Sequence, residues 1–302
     1  MRRITQHSHF PEFTLIFITF IWGGTFLTVQ YALTLSSPMF FVGCRFAAAS
    51  IAICLISWKT LKEMTWLDFL AGACIGLMMA VGYGAQTLGL QTILSTESAF
   101  LTALYVPMVP LFQWIIFKKA PRFMTWTGII CAFIGLILLT GNHSLNISFN
   151  TGQLFTLLSA VAIVFEIIFI GLFANRVNPQ RVTIIQLIFA SLAAFISMPL
   201  VGEHHLPAFS WTLVFIIVGI GLASAIIQFT MNWAQQFVDP ARATVIYAGE
   251  PVWAGIIGRI AGERLSEYAI FGSILVILGV LLSELKPSFF KRKKGNDSER
   301  KS

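Results

Sequence analysis

The chain predicts an all-α integral membrane protein with ten transmembrane helices, arranged as two inverted five-helix repeats. Three observations carry that prediction. Hydrophobic residues fill 57% of the 302 positions and charged residues only 11%, against about 25% charged in an ordinary soluble domain. The apolar residues fall into ten stretches, each near the roughly 20 residues needed to cross a hydrocarbon core. The last five stretches echo the first five, and an odd-numbered unit repeated once must cross the bilayer the other way up.

The expected spans, in order, are Phe13–Leu35, Met39–Trp58, Leu67–Leu90, Ala99–Phe117, Phe123–Gly141, Gly152–Ala174, Val182–Val201, Trp211–Trp233, Ala243–Ala261 and Tyr268–Leu285. They make repeats over 13–141 and 152–285, flanked by a short N-terminal segment (1–12) and a basic tail (286–302). The first span follows Arg2-Arg3, but it is too long for a signal-peptide core and no small-residue cleavage site follows it, so it reads as retained. Pro38 and Pro179 open the second span of each half. Gly72 and Gly76 in the third span form a Gly-x-x-x-Gly pair. That pattern serves tight helix packing and sometimes a dimer face, so a homodimer stays open. Shifted by 144 residues, Gln91 meets Gln235, Ala99 meets Ala243, Pro107 meets Pro251, Gly128 meets Gly272 and Gly135 meets Gly279. Proline removes a backbone bond and bends a helix, so bends are expected at Pro107 and Pro251. Glycine permits close helix approach in the last span of each half. Cys44, Cys54, Cys74 and Cys131 all lie within spans without ligand spacing and read as packing residues.

Charge orients the chain. Arg2, Arg3, Lys59, Lys62, Lys118, Lys119, Arg122, Arg176, Arg181, Arg242 and the run from Lys286 to Lys301 all fall on one side. The loops Ser36–Pro38, Gln91–Thr96, Asn142–Thr151 and Gly202–Pro207 carry no Lys or Arg; Arg259 and Arg264 alone lie on their side. By the positive-inside rule both termini are cytoplasmic, and the tail anchors the topology and touches membrane lipid. The net charge of +7 is thereby explained without nucleic acid, for which no stacking aromatics or recognition fold are present. Asn146-Ile-Ser148 is an acceptor sequon on the outer side.

Charged residues inside a span cost about 2.5–3.5 kcal/mol on insertion scales and call for a reason. Arg45 has two readings: a fork that clamps a substrate carboxylate, or a structural cation that snorkels to the interface or caps carbonyls. Glu250, beside Pro251 and one turn from Tyr247, binds an ammonium, carries a proton, or packs the bend as a hydrogen-bonded acid. Glu166, among Ile163, Val164, Phe165, Ile167 and Ile168, carries the same readings and must face a cavity or find a partner. Gln86, Tyr105, Asn232, Gln186 and Gln228 serve as substrate contacts or as interhelical glue. Trp22 is too deep for an interfacial belt and belongs to a cavity wall or to packing. Glu203-His204-His205 lies on an outer loop with no further ligand in view, so no metal is expected. No catalytic set and no phosphate-cradling loop is present, so no enzyme activity and no cofactor is expected, and uphill movement must borrow an ion gradient.

In order along the chain, Trp22-Gly23-Gly24-Thr25-Phe26, Pro38 with Arg45, Thr96 through Pro107, Glu250-Pro251-Val252, Gly262-Glu263-Arg264-Leu265, Gly272 and Gly279 resemble the EamA-type members of the drug/metabolite transporter superfamily. The departures are Lys118-Lys119-Ala120 in place of the glycine-glutamate pair usual after the fourth helix, Arg259 in an apolar place, and a sixth span without the tryptophan motif. The resemblance implies a central cavity built mainly from the first four helices of each half, and movement of small metabolites, often amino acids, often outward. The expected activity is secondary transport of small organic solutes across a bacterial inner membrane by alternating access, with protons as one candidate coupling ion and facilitated diffusion as the alternative. The candidate solute contacts are Trp22, Arg45, Gln86, Tyr105, Glu166, Asn232, Tyr247 and Glu250. A multidrug or quaternary-cation pump would use the same aromatic rings and carboxylates. A non-transporting scaffold or receptor would usually want a sizeable exposed domain, and this chain has none.

Overall fold

The computed structural model describes residues 9–118, 123–139, 149–238 and 240–284. The Asn146 sequon, Lys119, Ala120, Arg122 and the basic tail fall outside the described residues. The described residues form α1 (Phe10–Ala32), α2 (Pro38–Ser57), α3 (Trp66–Gly89), α4 (Ser95–Thr102), α5 (Tyr105–Phe117), α6 (Phe123–Leu139), α7 (Thr151–Phe173), α8 (Pro179–Ser197), α9 (Trp211–Ala234), α10 (Pro240–Tyr247), α11 (Gly249–Ile260) and α12 (Glu267–Glu284). Short 3₁₀ turns follow α2 and α8. No strand occurs among the described residues.

Among the described residues, seven segments are long and apolar enough to span a membrane: Phe10–Ala32, Pro38–Glu63, Trp66–Gly89, Ser95–Ile116, Thr151–Phe173, Pro179–Ser197 and Trp211–Ala234. Of the other expected spans, the one over α10 and α11 is interrupted at Ala248, and the described parts of α6 and α12 contain the apolar helices Trp126–Gly135 and Glu267–Gly279. Large apolar side chains such as Phe13, Phe17, Leu55, Phe215 and Phe271 point outward and are more than half exposed. That inside-out surface is what lipid requires and what water would punish.

Local chemistry sets the helix starts. Thr65 with Asp68, and Asn150 with Gln153, close reciprocal capping boxes on α3 and α7. The Asn178 side chain accepts from Gln180 N at 2.9 Å at the start of α8. Prolines at the first turn of α2 and α8 forgo only an N–H that has no helical partner there. Two helices are broken at matching places, at Ala103–Leu104 between α4 and α5 and at Ala248 between α10 and α11. Pro107 and Pro251 each stand three residues past the break. Lacking an N–H, they offer no donor to the carbonyls of Ala103 and Tyr247 one turn back. The Ala103 carbonyl is taken instead by Val106 N at 3.0 Å.

The packing is reciprocal between halves. Helix α3 lies on α7 and α8, while α9 lies on α1 and α2; α5 packs on α7 as α11 packs on α1; α2 meets α8 and α6 meets α12. Exchanging the halves maps each contact onto another, the signature of a two-fold relation. Glycines sit where that relation brings backbones together. A Cβ on Gly135 would lie 2.7 Å from the Gly272 carbonyl, and one on Gly279 would lie 2.6 Å from the Gly128 carbonyl. Each glycine of one pair in the 144-residue shift therefore touches a glycine of the other pair, Gly135 meeting Gly272 and Gly279 meeting Gly128. Likewise Gly76 abuts the Gln186 carbonyl, and a Cβ on Gly221 would lie 2.9 Å from the Arg45 carbonyl. Gly72 and Gly76 thus pack on α8 of the same chain, which removes the sequence basis for a dimer face.

Replacing Gly135 by Val should destabilise the fold by about 1–3 kcal/mol, because an immovable backbone meets the new methyl groups. A thermal unfolding series in detergent measures this. A Tm equal to wild type contradicts the close α6–α12 crossing.

Candidate solute site between the halves

The polar side chains predicted inside the membrane converge at the centre of the bundle. Arg45 of α2 is 2% exposed and turned inward. Its Nε donates to Ser224 Oγ of α9 at 2.7 Å, and its guanidinium carbon lies 4.9 Å from the centre of the Tyr83 ring, within cation–π range. The Tyr83 hydroxyl accepts from Gln228 Nε2 at 3.2 Å. The same Gln228 Nε2 donates to Glu166 Oε1 of α7 at 2.9 Å, and Gln228 Oε1 accepts from Gln186 of α8 at 2.9 Å. Trp22 of α1 stacks on Tyr83 with ring centres 6.4 Å apart and meets Tyr247 edge-on at 6.0 Å. Beyond the two broken helices, the Tyr105 hydroxyl donates to Glu250 Oε2 at 3.3 Å.

Six of the eight candidates therefore share one cluster: Trp22, Arg45, Tyr105, Glu166, Tyr247 and Glu250. Tyr105, the partner of Glu250, belongs to the same buried core as Trp22, Tyr83 and Tyr247. The other two flank it. Gln86 Nε2 donates to Thr102 Oγ1 at 3.2 Å, tying α3 to α4. Asn232 Nδ2 donates to Thr183 Oγ1 at 3.1 Å and to Gln186 Oε1 at 3.0 Å, tying α9 to α8. Arg45 is buried and held by Ser224, so its side chain does not extend to the surface of the molecule. Sequence reasoning missed Tyr83, which joins the aromatic and hydrogen-bonded parts, and Ser224. The signal available for Tyr83 was its setting, Gly82-Tyr83-Gly84, with small neighbours that let other helices close on the ring.

The expected open cavity is shut. Trp22, Tyr105, Glu166, Tyr247 and Glu250 are no more than 1% exposed. Yet hydrogen bonding in the cluster is incomplete. Glu166 Oε2, Glu250 Oε1 and Gln235 Oε1 are buried acceptors with no hydrogen-bond partner, and Trp22 Nε1 is a buried donor with none. Such groups are rare, because each costs about 1–3 kcal/mol. The unpartnered acceptors include one oxygen of each central carboxylate.

The halves contribute unequally. Helix α8 follows α2 by 141 residues, Pro38 to Pro179, and α9 follows α3 by 145, Trp66 to Trp211. Arg45 therefore corresponds to Gln186, and Tyr83 to its own partner Gln228. The first half supplies the guanidinium and three of the four rings. The second supplies both carboxylates and the amides.

Three carboxylates seal the ends of the bundle across the same divide. Glu263, aimed by the turn at Gly262 (φ 97°), accepts from Ser95 N at 3.2 Å, Ser95 Oγ at 2.6 Å, Thr96 N at 3.0 Å and Thr96 Oγ1 at the start of α4. Glu203 accepts from Met39 N at 2.8 Å and Phe40 N at 3.1 Å at the start of α2, while His204 and His205 beside it are exposed. At the opposite end Asp68 accepts from Asn178 N at 3.0 Å and Arg181 Nη1 at 3.2 Å. Charge-assisted caps of this kind are the stronger hydrogen bonds. Arg259 is exposed in the last turn of α11, where a cation suits the helix dipole.

Outward-facing apolar helices, reciprocal halves and a buried polar centre define a multi-pass membrane protein of the transporter type. Residues 9–141 and again 150–285 match the EamA-like transporter family, and the chain belongs to it. An uncharacterized transporter of Archaeoglobus fulgidus is 28% identical over 281 residues, covering 92% of this chain and 86% of that one. The uncharacterized transporter YwfM of Bacillus subtilis is 25% identical over 288 residues, covering 90% of this chain and 93% of its own. A crystal structure of a protein 16% identical superposes with a TM-score of 0.66, covering 95% of this chain and 98% of that one. It shares the fold.

Proposed function

We propose that the chain is a secondary transporter that moves small zwitterionic metabolites, amino-acid-like and outward, across the bacterial inner membrane. In this reading ten spans form two inverted five-helix repeats, both termini are cytoplasmic, and rocking of the halves opens the buried cluster to one side at a time. One observation carries the reading. The cluster sets a guanidinium from the first half against two carboxylates from the second, with buried acceptor atoms left unpartnered. A solute carboxylate suits Arg45, whose fork can bind it bidentately. A solute ammonium suits Glu166 and Glu250. Ionisable side chains at this depth are costly to keep, and a transported zwitterion justifies both signs at once.

The test is uptake into proteoliposomes carrying the purified protein, with a panel of amino acids, monoamines and monocarboxylates. Arg45→Lys should weaken movement of amino acids about tenfold or more, as loss of a bidentate pair implies, and spare monoamines. Equal loss for every solute points to a structural Arg45. No solute moving faster than in empty vesicles defeats the proposal.

A quaternary-cation pump is the second reading. It is favoured by the rings of Trp22, Tyr83, Tyr105 and Tyr247 gathered beside the two carboxylates. A strain overproducing the protein that resists cationic dyes, while Arg45→Gln leaves the resistance intact, selects this reading instead.

A further inference from the structure

A second polar chamber lies apart from the central cluster, at the end of the bundle where α3 gives way to α4. It has a volume of about 530 Å³, within the roughly 300–1,000 Å³ of small-molecule sites. Both halves line it, with Gln30, Ile93 and Glu97 from the first and Gln153, Arg264 and Leu265 from the second.

Its chemistry is specific. The two helix N-termini beside it are already capped, α4 by Glu263 and α7 by the Asn150–Gln153 box. Free backbone N–H groups therefore do not recruit an anion there. Gln153 Nε2 donates to Glu97 Oε1 at 2.8 Å, while Gln153 Oε1 accepts from Asn150 N at 3.0 Å. Glu97 is thus held in the chamber wall by the opposite half. Gln30 Nε2 is engaged by the Ile93 carbonyl at 2.8 Å, which leaves its own carbonyl oxygen as an acceptor. Among the described residues that line it, Arg264 is the one cation and Glu97 the one carboxylate. Ile93 and Leu265 add apolar wall. One positive group, one negative group and an apolar flank match a zwitterion with an aliphatic side chain.

We propose that this chamber is a second binding site for an aliphatic α-amino acid, whose ammonium goes to Glu97 and the Gln30 oxygen and whose carboxylate goes to Arg264. The sequence next to it gives the site a consequence. Arg264 directly follows Glu263, the residue that holds the start of α4. A bound zwitterion therefore bridges α4 and the Glu263 turn and holds the halves together at this end.

The test is local and independent of transport. Thr92 lines the chamber and is exposed, so Thr92→Cys in the full chain, purified in nanodiscs, reports on it through its rate of maleimide labelling. L-Leucine at ten times its apparent Kd should slow labelling about tenfold by occupancy, while isoamylamine and 4-methylpentanoate, each lacking one charge, should not. Glu97→Gln and Arg264→Gln should each remove the protection, Arg264→Lys should restore part of it, and Glu250→Gln should leave it intact. Absence of protection by L-leucine overturns the proposal, as does protection that survives Glu97→Gln and Arg264→Gln or disappears in Glu250→Gln. Transport without protection sinks this site alone; protection without transport leaves it standing and sinks the transport reading for that solute.

Discussion

Glu166→Gln and Glu250→Gln should each abolish solute accumulation driven by a pH gradient while leaving solute exchange measurable. The amide keeps the size of the acid and an acceptor oxygen for Gln228 or for Tyr105, so the packing survives. It cannot take up or release a proton. Net movement coupled to protons needs that step, whereas exchange returns with the same protonation state at which it set out. Proteoliposomes under an imposed pH gradient read the first quantity, and counterflow reads the second. If both variants keep the wild-type dependence of uptake on pH, these carboxylates do not couple protons to transport.

The second large effect is expected at Glu263. Its carboxylate serves two backbone amides and two hydroxyls of α4, and it comes from the other half. Opening this end of the bundle must break that attachment. Glu263→Ala leaves Ser95 and Thr96 donors without acceptors in the closed form, at about 1–3 kcal/mol per group. In an open form water satisfies them. The balance should move toward opening by about tenfold or more. Ser98 is 0% exposed one turn into α4, so Ser98→Cys reports the change as faster labelling by a membrane-impermeant maleimide. A labelling rate unchanged by Glu263→Ala means that the carboxylate caps a helix and holds nothing shut.

The features legible in the sequence are those that physics forces on particular residue types. Close helix crossings demand glycine, so Gly128, Gly135, Gly272 and Gly279 repeat at one spacing and meet in space. A carboxylate among isoleucines needs a partner, so Glu166 pointed inward. What stayed hidden depends on register or on long-range contact. The third helices correspond at 145 residues and the second at 141, so a single shift of 144 does not align Tyr83 with Gln228 or Arg45 with Gln186. Tyr83 reads as one more aromatic residue until a guanidinium is seen on its face. Glu203 and Glu263 lie in loops, and nothing in their neighbours says that each caps a helix of the opposite half. Gly72 and Gly76 show that a close contact is made without naming the partner, which proved to be α8.

The unequal endowment of the halves has an ancestral implication. Two copies of the first half, joined head to tail, would face two guanidinium groups across the axis with no anion between them. Two copies of the second would crowd four carboxylates into the same dry space. Neither arrangement is tolerable in a low-dielectric interior. Any identical pair from which this chain arose by duplication must have carried a different centre, and the present charges belong to halves that have diverged. Each half is now an obligate complement of the other and no longer a spare copy.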